Sequence, residues 1–363
     1  MPINPKIISR SVRNAASGLE VRLNRLLKRE FIPPHEGTLS IETSSLCNLK
    51  CRFCAYEKKQ GPRLTMTDAF FIDCITQALD MGYRSFNLTP CTGDIFMDRH
   101  IFNKLAFLDG DPKVEGYGFF TNLTIPRQQD VARLAGLKKL KYLVVSVYGH
   151  DPETFIAITK STEKIYHRLV GNLDTLLSLV GQKRFALDIA LRSTMQVPRR
   201  GASSIMRTLR RFEDAGVHVH KSSGLYNNWG GYITQDDVKG LPIRIGGADE
   251  VHKDGACTLL LTTVQVMASG IVNGCACRDV DATLRIGNLK STPLREIISS
   301  RNPAYMQLID EQQDGLFRPI CKTCDFYQSI YHNRRHYRRN GIKTRSLAEF
   351  KAALDANGQD SSA

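Results

Sequence analysis

From about residue 37 onward, short runs of branched and aromatic residues alternate with stretches of helical periodicity. The runs Thr38–Thr43, Arg84–Thr89, Gly116–Thr121, Lys141–Val147, Phe185–Arg192 and Val217–Ser222 predict six strands. The clearest helix lies between the first two, where Phe71, Cys74, Ile75, Ala78 and Leu79 fall at i, i+3, i+4, i+7 and i+8. Thr65 or Thr67 can cap its start, and Gly82 stands just past its end. Cys74 sits on this apolar stripe and reads as a core thiol. Six strand–helix repeats predict an α/β protein with a parallel sheet and right-handed crossovers. After residue 250 the pattern changes. Thr258–Ala268 reads as β-rich, Ser269-Gly270 as a turn, and Ile271–Cys275 as the returning strand of a hairpin, which predicts a small second domain.

Both ends of the chain are basic. In residues 1–36, Leu19, Leu23, Leu26 and Leu27 fall at helical spacing, with Arg22, Arg25, Lys28 and Arg29 between them and Pro33-Pro34 as a stop. This predicts a helix packed on the domain surface; a membrane-surface helix is the alternative. The run Tyr331–Arg339 interleaves arginines with aromatics and reads as a solvated helix face or as a phosphate or nucleic-acid contact. The tail 354–363 reads as disordered. The expected division is therefore a basic N-terminal segment (1–36), a core (37–250), a small domain (251–330) and a basic extension (331–363).

Composition narrows the partners. With 50 Lys and Arg against 36 Asp and Glu, the net charge is +14, which suits an anionic partner but equally a basic protein with scattered charge. There is no secretory signal and no uninterrupted apolar run near twenty residues, so a soluble, cytoplasmic protein without a membrane span is expected. Ten cysteines in short clustered spacings then argue for metal binding rather than disulfides.

Two cysteine groups carry the chemistry. Cys47, Cys51 and Cys54 form a C-x3-C-x2-C motif, with Phe53 just before the third, after a short loop from the first strand. Three thiolates this close can hold three irons of a [4Fe-4S] cluster and leave the fourth iron open for chemistry. Cys257, Cys275, Cys321 and Cys324 form the second group, two from the hairpin region and two from a distant C-x2-C. Four thiolates suit an iron–sulfur cluster or a structural zinc ion, and spacing alone does not separate them. Cys277 is left over.

The first motif resembles the signature of the radical S-adenosylmethionine (radical SAM) superfamily. The pattern Cys257-x12-Gly270-x4-Cys275, with the later pair Cys321 and Cys324, resembles its SPASM and twitch subgroup. A full SPASM domain carries further cysteines for a second auxiliary cluster, and none follow Cys324 in that pattern. The resemblance, which spans roughly residues 37–330, is therefore to the twitch form with one auxiliary cluster, and the four cysteines match the ligands in an aminocyclitol dehydrogenase of that subgroup. It implies a partial (β/α)6 barrel with a small C-terminal auxiliary-cluster domain, a SAM-binding [4Fe-4S] cluster, S-adenosylmethionine, one auxiliary [4Fe-4S] cluster, and a flavodoxin- or ferredoxin-type electron donor.

The resemblance also points to positions at the barrel mouth. Thr92, Gly93 and Asp94 stand where the family carries a Gly-Gly-Glu-like segment that binds the methionine amino group, and the departure to Thr-Gly-Asp loosens that match. Asn122 ends the third strand with Thr121, Ser146 matches a position near the ribose or carboxylate, and Arg192 could pair with the methionine carboxylate. Each could equally be ordinary strand-end polarity. Cys91, in the same loop as Thr92, is a candidate hydrogen-atom donor or a small buried residue. Lys221 and Tyr226 are candidate bases and Trp229 a candidate substrate wall, against a solvated lysine and two packing aromatics.

The activity so implied is reductive cleavage of S-adenosylmethionine to a 5′-deoxyadenosyl radical, which abstracts hydrogen from an anionic small molecule, a sugar or aminocyclitol. Dehydrogenation needs a base for the hydroxyl proton and a cluster to accept the electron; epimerisation needs a thiol to return hydrogen. A radical SAM maturase of a ribosomal peptide is the alternative. A zinc-stabilised nucleic-acid-binding protein is the reading from another class.

Overall fold

The computed structural model describes residues 17–34, 37–89, 91–198, 201–222 and 224–356. Its centre is a parallel sheet of β1 (Thr38–Ile41), β2 (Ser85–Asn87), β3 (Gly116–Thr121), β4 (Leu140–Tyr148), β5 (Ala186–Arg192) and β6 (His218–Lys221). Each strand pairs with the next, for example Leu39 with Phe86 and Ser146 with Ala190. All six expected strands are present, with shifted ends. Helices lie between them in the chain, as the crossovers of parallel pairing require.

Helix Asp68–Asp80 shows how the sequence sets this. Thr67 accepts a hydrogen bond from the Phe70 amide at 3.3 Å, and Phe71, Cys74, Ile75, Ala78 and Leu79 are buried. Cys74 is a core thiol, fully buried. At the start of the next helix, Ile101–Gly110, Lys104 is buried and reaches Asp98 at 2.6 Å and Asp68 at 2.9 Å.

The small C-terminal segment is not a separate layer. After the two-strand pair β7 (Leu225–Tyr226) and β8 (Arg244–Ile245), strand β9 (Gln265–Val266) joins β1 in parallel, Ser40 opposite Gln265. Strands β10 (Ile271–Asn273) and β11 (Arg285–Asn288) continue antiparallel from it, giving one nine-stranded sheet. The hairpin turns at Gly270, whose φ of +94° favours glycine. The expectation of a β-rich Thr258–Ala268 is corrected. Residues Thr258–Thr262 are helical, and only Gln265–Val266 is strand. A short apolar run buried on most sides, with Leu260 and Leu261 inside, does not declare its period.

The N-terminal helix, residues 17–26, is turned opposite to expectation. Val21 and Asn24 face inward, and Asn24 Nδ2 donates to the Tyr331 carbonyl at 2.9 Å. Leu19, Leu23, Leu26 and Leu27 point outward, 50–82% exposed. The helix is anchored by polar contacts, Arg25 to Asp254 and to the Gln313 carbonyl, and the leucines are what remains outside. In the basic extension Tyr331 and Tyr337 are buried while Arg335, Arg338 and Arg339 are exposed. The aromatics pack inward and do not present rings to a base, which fits the solvated-face reading. Residues Leu347–Ala356 form a helix seated by Leu347, Phe350 and Leu354, so the expected disordered tail does not begin at 354. Its remainder, 357–363, and the N-terminal residues 1–16 lie outside the described residues. Among the described residues no helix is long and apolar enough to cross a membrane.

Candidate active site

The loop leaving β1 carries Cys47, Cys51 and Cys54 to the C-terminal ends of the strands, where chemistry sits in barrels of this kind. Its backbone is tied down: the Lys50 and Arg52 amides donate to the Thr159 and Ile158 carbonyls, and the Cys54 amide to the Cys51 carbonyl. All three thiols line one cavity of about 330 Å³. Cys47 Sγ accepts from the Leu49 amide at 3.5 Å and Asn122 Nδ2 at 3.8 Å. Burial pushes the Cys47 thiol up to about 12 and Cys54 up to about 11, and holds Cys51 well above its ordinary value. Three thiols on one cavity are the donor chemistry of an iron–sulfur cluster, which binds them as thiolates.

The second loop docks against the first. Gly93 has φ +114°, and a Cβ there would meet Ser44 O at 2.7 Å, Ser45 C at 2.8 Å and Leu46 O at 2.9 Å. The Asp94 amide donates to the Leu46 carbonyl at 2.7 Å. The Asp94 carboxylate accepts from Thr121 Oγ1 at 2.9 Å, the Asn122 amide at 2.7 Å and the Phe96 amide at 3.0 Å. Burial lifts its pKa to about 6, against those donors. Thr92, Gly93, Asp94, Asn122, Ser146 and Arg192 all line the cavity. Thr92 Oγ1 and Arg192 Nε are buried and have no hydrogen-bond partner. Buried orphans of this kind fit a polar ligand such as S-adenosylmethionine.

Three expected site residues lie elsewhere. Phe53 does not line the cavity; its ring stacks on Tyr226 at 4.2 Å and 4°, and its carbonyl accepts from Trp229 Nε1 at 2.9 Å. Tyr226 is buried with its hydroxyl donating to the Ser193 carbonyl at 2.7 Å, and burial pushes its pKa up, away from a base. Lys221 pairs with Glu213 at 2.7 Å on the outer surface, both side chains more than a third exposed. It ends the sheet's edge strand, where no following strand pairs to turn it inward. Cys91 does line the cavity, packed with Ala55 and Val280 beside Trp229.

The second cysteine group surrounds its own cavity, lined by Cys257, Cys275, Cys277, Cys321 and Cys324. Four of the five thiols accept an N–H bond: Cys257 from Gln328 N (3.4 Å), Cys275 from Cys277 N (3.4 Å), Cys321 from Gln312 Nε2 (3.3 Å) and Cys324 from Phe326 N (3.3 Å). Such donors stabilise thiolate. Burial raises all four thiols, Cys321 to about 12 and Cys324 to about 11. Among the described residues no three His, Cys, Asp or Glu side chains are arranged to hold a single metal ion. Cys277 lines both cavities, as does Arg278. Sequence reasoning missed Arg278. Its only signal was adjacency to the C-A-C pair.

Residues 257–325 match the SPASM iron–sulfur cluster-binding domain. No curated protein sequence matches the chain. Among solved structures it resembles BtrN in complex with AdoMet and 2-DOIA, at 14% identity, covering 80% of this chain and 92% of that one, with a TM-score of 0.51. It also resembles Streptococcus suis SuiB bound to its precursor peptide SuiA, at 15% identity, 91% and 78% coverage and a TM-score of 0.53. A third is tagged anSMEcpe with bound AdoMet, at 15% identity, 88% and 98% coverage and a TM-score of 0.50. The fold is that of these three structures, and residues 257–325 form the iron–sulfur cluster-binding domain. The matched segment, residues 257–325, contains all five cysteines of the second group.

Proposed function

We propose that this enzyme abstracts a hydrogen atom from a small molecule, a sugar or aminocyclitol, and that the outcome is dehydrogenation or epimerisation. When bound, the cluster and S-adenosylmethionine supply a 5′-deoxyadenosyl radical. Cys47, Cys51 and Cys54 are assigned as ligands of the first cluster, and Cys257, Cys275, Cys321 and Cys324, the thiols with N–H donors, as ligands of the auxiliary one. Thr92, Asn122, Ser146 and Arg192 hold the cofactor, with the Gly93–Asp94 segment fixing the loop that carries them. Cys91 faces the cavity and is the candidate hydrogen donor. Lys221 and Tyr226 are set aside as bases on geometry.

The observation that carries this reading is the junction of the two thiol-lined cavities at Cys277 and Arg278. A substrate radical formed at the barrel mouth lies next to an electron-accepting centre, which suits an oxidation. The cavity, about 330 Å³ and lined in part by Trp229, Ala276, Cys277 and Arg278, suits a small substrate. The peptide reading is supported by the likeness to SuiB bound to SuiA across 91% of this chain. A cytoplasmic location, where thiols stay reduced, and a flavodoxin- or ferredoxin-type donor complete the proposal.

The test is anaerobic turnover with carbon-deuterated aminocyclitols and sugars, following label into 5′-deoxyadenosine. Deuterium transfer supports the reading. Transfer only from a cysteine-, serine- or lysine-containing peptide replaces it with peptide maturation. Cys91→Ala should leave a dehydrogenase turning over and stop an epimerase after abstraction; unchanged epimerisation removes Cys91 as donor.

A further inference from the structure

Among the described residues, Arg278 is the one charged side chain that lines both thiol-lined cavities. Its guanidinium is held between two rings, 4.4 Å from the centroid of Phe326 and 5.4 Å from that of Trp229. One arm, Nη1, donates back to the Cys277 carbonyl at 2.7 Å. The Nε atom is buried and has no partner. The nearest carboxylates in sequence are committed elsewhere. Asp279 accepts from the Leu284 amide at 2.7 Å and Thr283 Oγ1 at 3.0 Å. Asp281 accepts from the Gln60 and Gly61 amides at 2.9 and 2.8 Å and from the Tyr232 hydroxyl at 2.7 Å. Among the described residues Arg278 makes no ion pair. A half-buried guanidinium that lines a cavity and keeps an N–H without a partner is suited to bind an anion there. The planar fork of Nε and Nη matches the two oxygens of a carboxylate or a phosphate.

We propose that Arg278 is the substrate's anion anchor: it binds a carboxylate or phosphate-monoester group of a small-molecule substrate at the junction of the two cavities. The flanking rings fix the fork, and the anion holds the reacting carbon on the barrel side, beside Cys91. Arg192 lines the same cavity and is its second guanidinium with an orphaned Nε, which the proposed reading gives to the cofactor carboxylate. Two guanidiniums in one cavity thus sort two anionic ligands. The inference rests on the proposed radical SAM reading of this cavity and adds the substrate class to it.

The experiment is equilibrium dialysis of the reconstituted holoenzyme with S-adenosylmethionine present, which occupies Arg192. The probes are labelled inorganic phosphate and labelled acetate. One saturable site per chain, with a Kd roughly in the millimolar range, is expected for such fragments. Arg278→Gln should weaken it about tenfold or more, and Arg278→Lys by less, since a point charge keeps the attraction and loses the fork. Preference for phosphate marks a phosphate monoester; preference for acetate marks a carboxylate. Iron content shows whether each variant loads. Should Arg278→Gln fail to load, Phe326→Ala, which keeps the guanidinium but frees one face, should still weaken binding several-fold. No saturable binding of either ion, or equal binding by wild type and Arg278→Gln, overturns the proposal. If the wild type makes no 5′-deoxyadenosine under reduction, the enzymatic reading fails. If it does and no anion binds, this inference alone fails.

Discussion

At the scale of single residues, the site depends on groups that the bare protein holds in unfavourable states. The triplet thiols are raised by burial, and the proposed cluster would bind them as thiolates. Replacing Cys47, Cys51 and Cys54 together with Ala should abolish formation of 5′-deoxyadenosine and leave about four irons per chain on the auxiliary thiols. Iron assay with product chromatography checks both halves, and residual 5′-deoxyadenosine would contradict the ligand assignment. Glu42, at the end of β1, is a second such group. Its Oε1 accepts from the Ala268 amide at 3.1 Å, while Oε2 is buried without a partner. Burial lifts its pKa from 4.5 to about 7, with Lys59 pulling the other way. The folded protein therefore binds more protons than the unfolded chain between these values. The stabilisation is full below pH 4.5 and is lost as pH rises through 7, on the order of 3 kcal/mol in all. Glu42→Gln should flatten that slope and raise Tm relative to wild type more at pH 8 than at pH 5. Parallel slopes in the two proteins would show that Glu42 does not titrate across this window.

At the scale of elements, the strands and the cysteine motifs were legible because their signals are local. The β-rich runs and the C-x3-C-x2-C spacing can be read within a dozen residues. Apart from Thr258–Thr262, helical where strand was expected, the failures were of orientation. Leu19, Leu23, Leu26 and Leu27 share a helical stripe, but the distant Tyr331 carbonyl, Asp254 and Gln313 decide which face turns inward. Lys221 and Tyr226 follow the sixth strand as a substrate-lining residue would. An edge strand leaves Lys221 outside, and the Ser193 carbonyl takes the Tyr226 hydroxyl. Arg278 carries no motif of its own and gains meaning only from two cavities meeting. Packing between elements makes its own predictions. Gly93→Ala puts a Cβ within 3 Å of three backbone atoms of the cysteine loop, in a left-handed backbone conformation. Backbone cannot swing aside, so a cost of about 2–4 kcal/mol is expected, with fewer irons retained on the first site. Normal iron loading and Tm would show that the loop can move. Lys104 is 1% exposed and is held by Asp98, also 1% exposed, and by Asp68. Lys104→Met leaves the Asp98 charge buried and unpaired, and denaturant titration should show a loss of about 3–5 kcal/mol.

At the scale of the whole molecule, the auxiliary domain and the barrel are one mechanical unit. The pairing of β9 with β1 makes a single sheet, so the edge of the barrel strand that leads to the first cysteines is covered by the second domain. A separate clamp closes above it. Asp281 receives the Gln60 and Gly61 amides, just beyond the cysteine loop, together with the Tyr232 hydroxyl. Lys59 donates to the Val280 carbonyl, and Trp229 donates to the Phe53 carbonyl. These bonds fix the spacing between the two thiol-lined cavities, on which the proposed electron transfer from substrate would depend. Wild-type protein should therefore unfold in one calorimetric transition despite its size. Asp281→Ala removes three bonds to one carboxylate at the seam while leaving the β1–β9 pairing intact, at a cost on the order of 3 kcal/mol. The expected result is a lower Tm with the transition broadened or split, and both clusters still bound. In turnover, the same variant should make more 5′-deoxyadenosine per product formed, because a loosened seam holds the substrate less firmly against the radical. A variant with lowered Tm but unchanged coupling ratio would show that the clamp serves stability alone, and that the spacing of the two sites is fixed by the shared sheet.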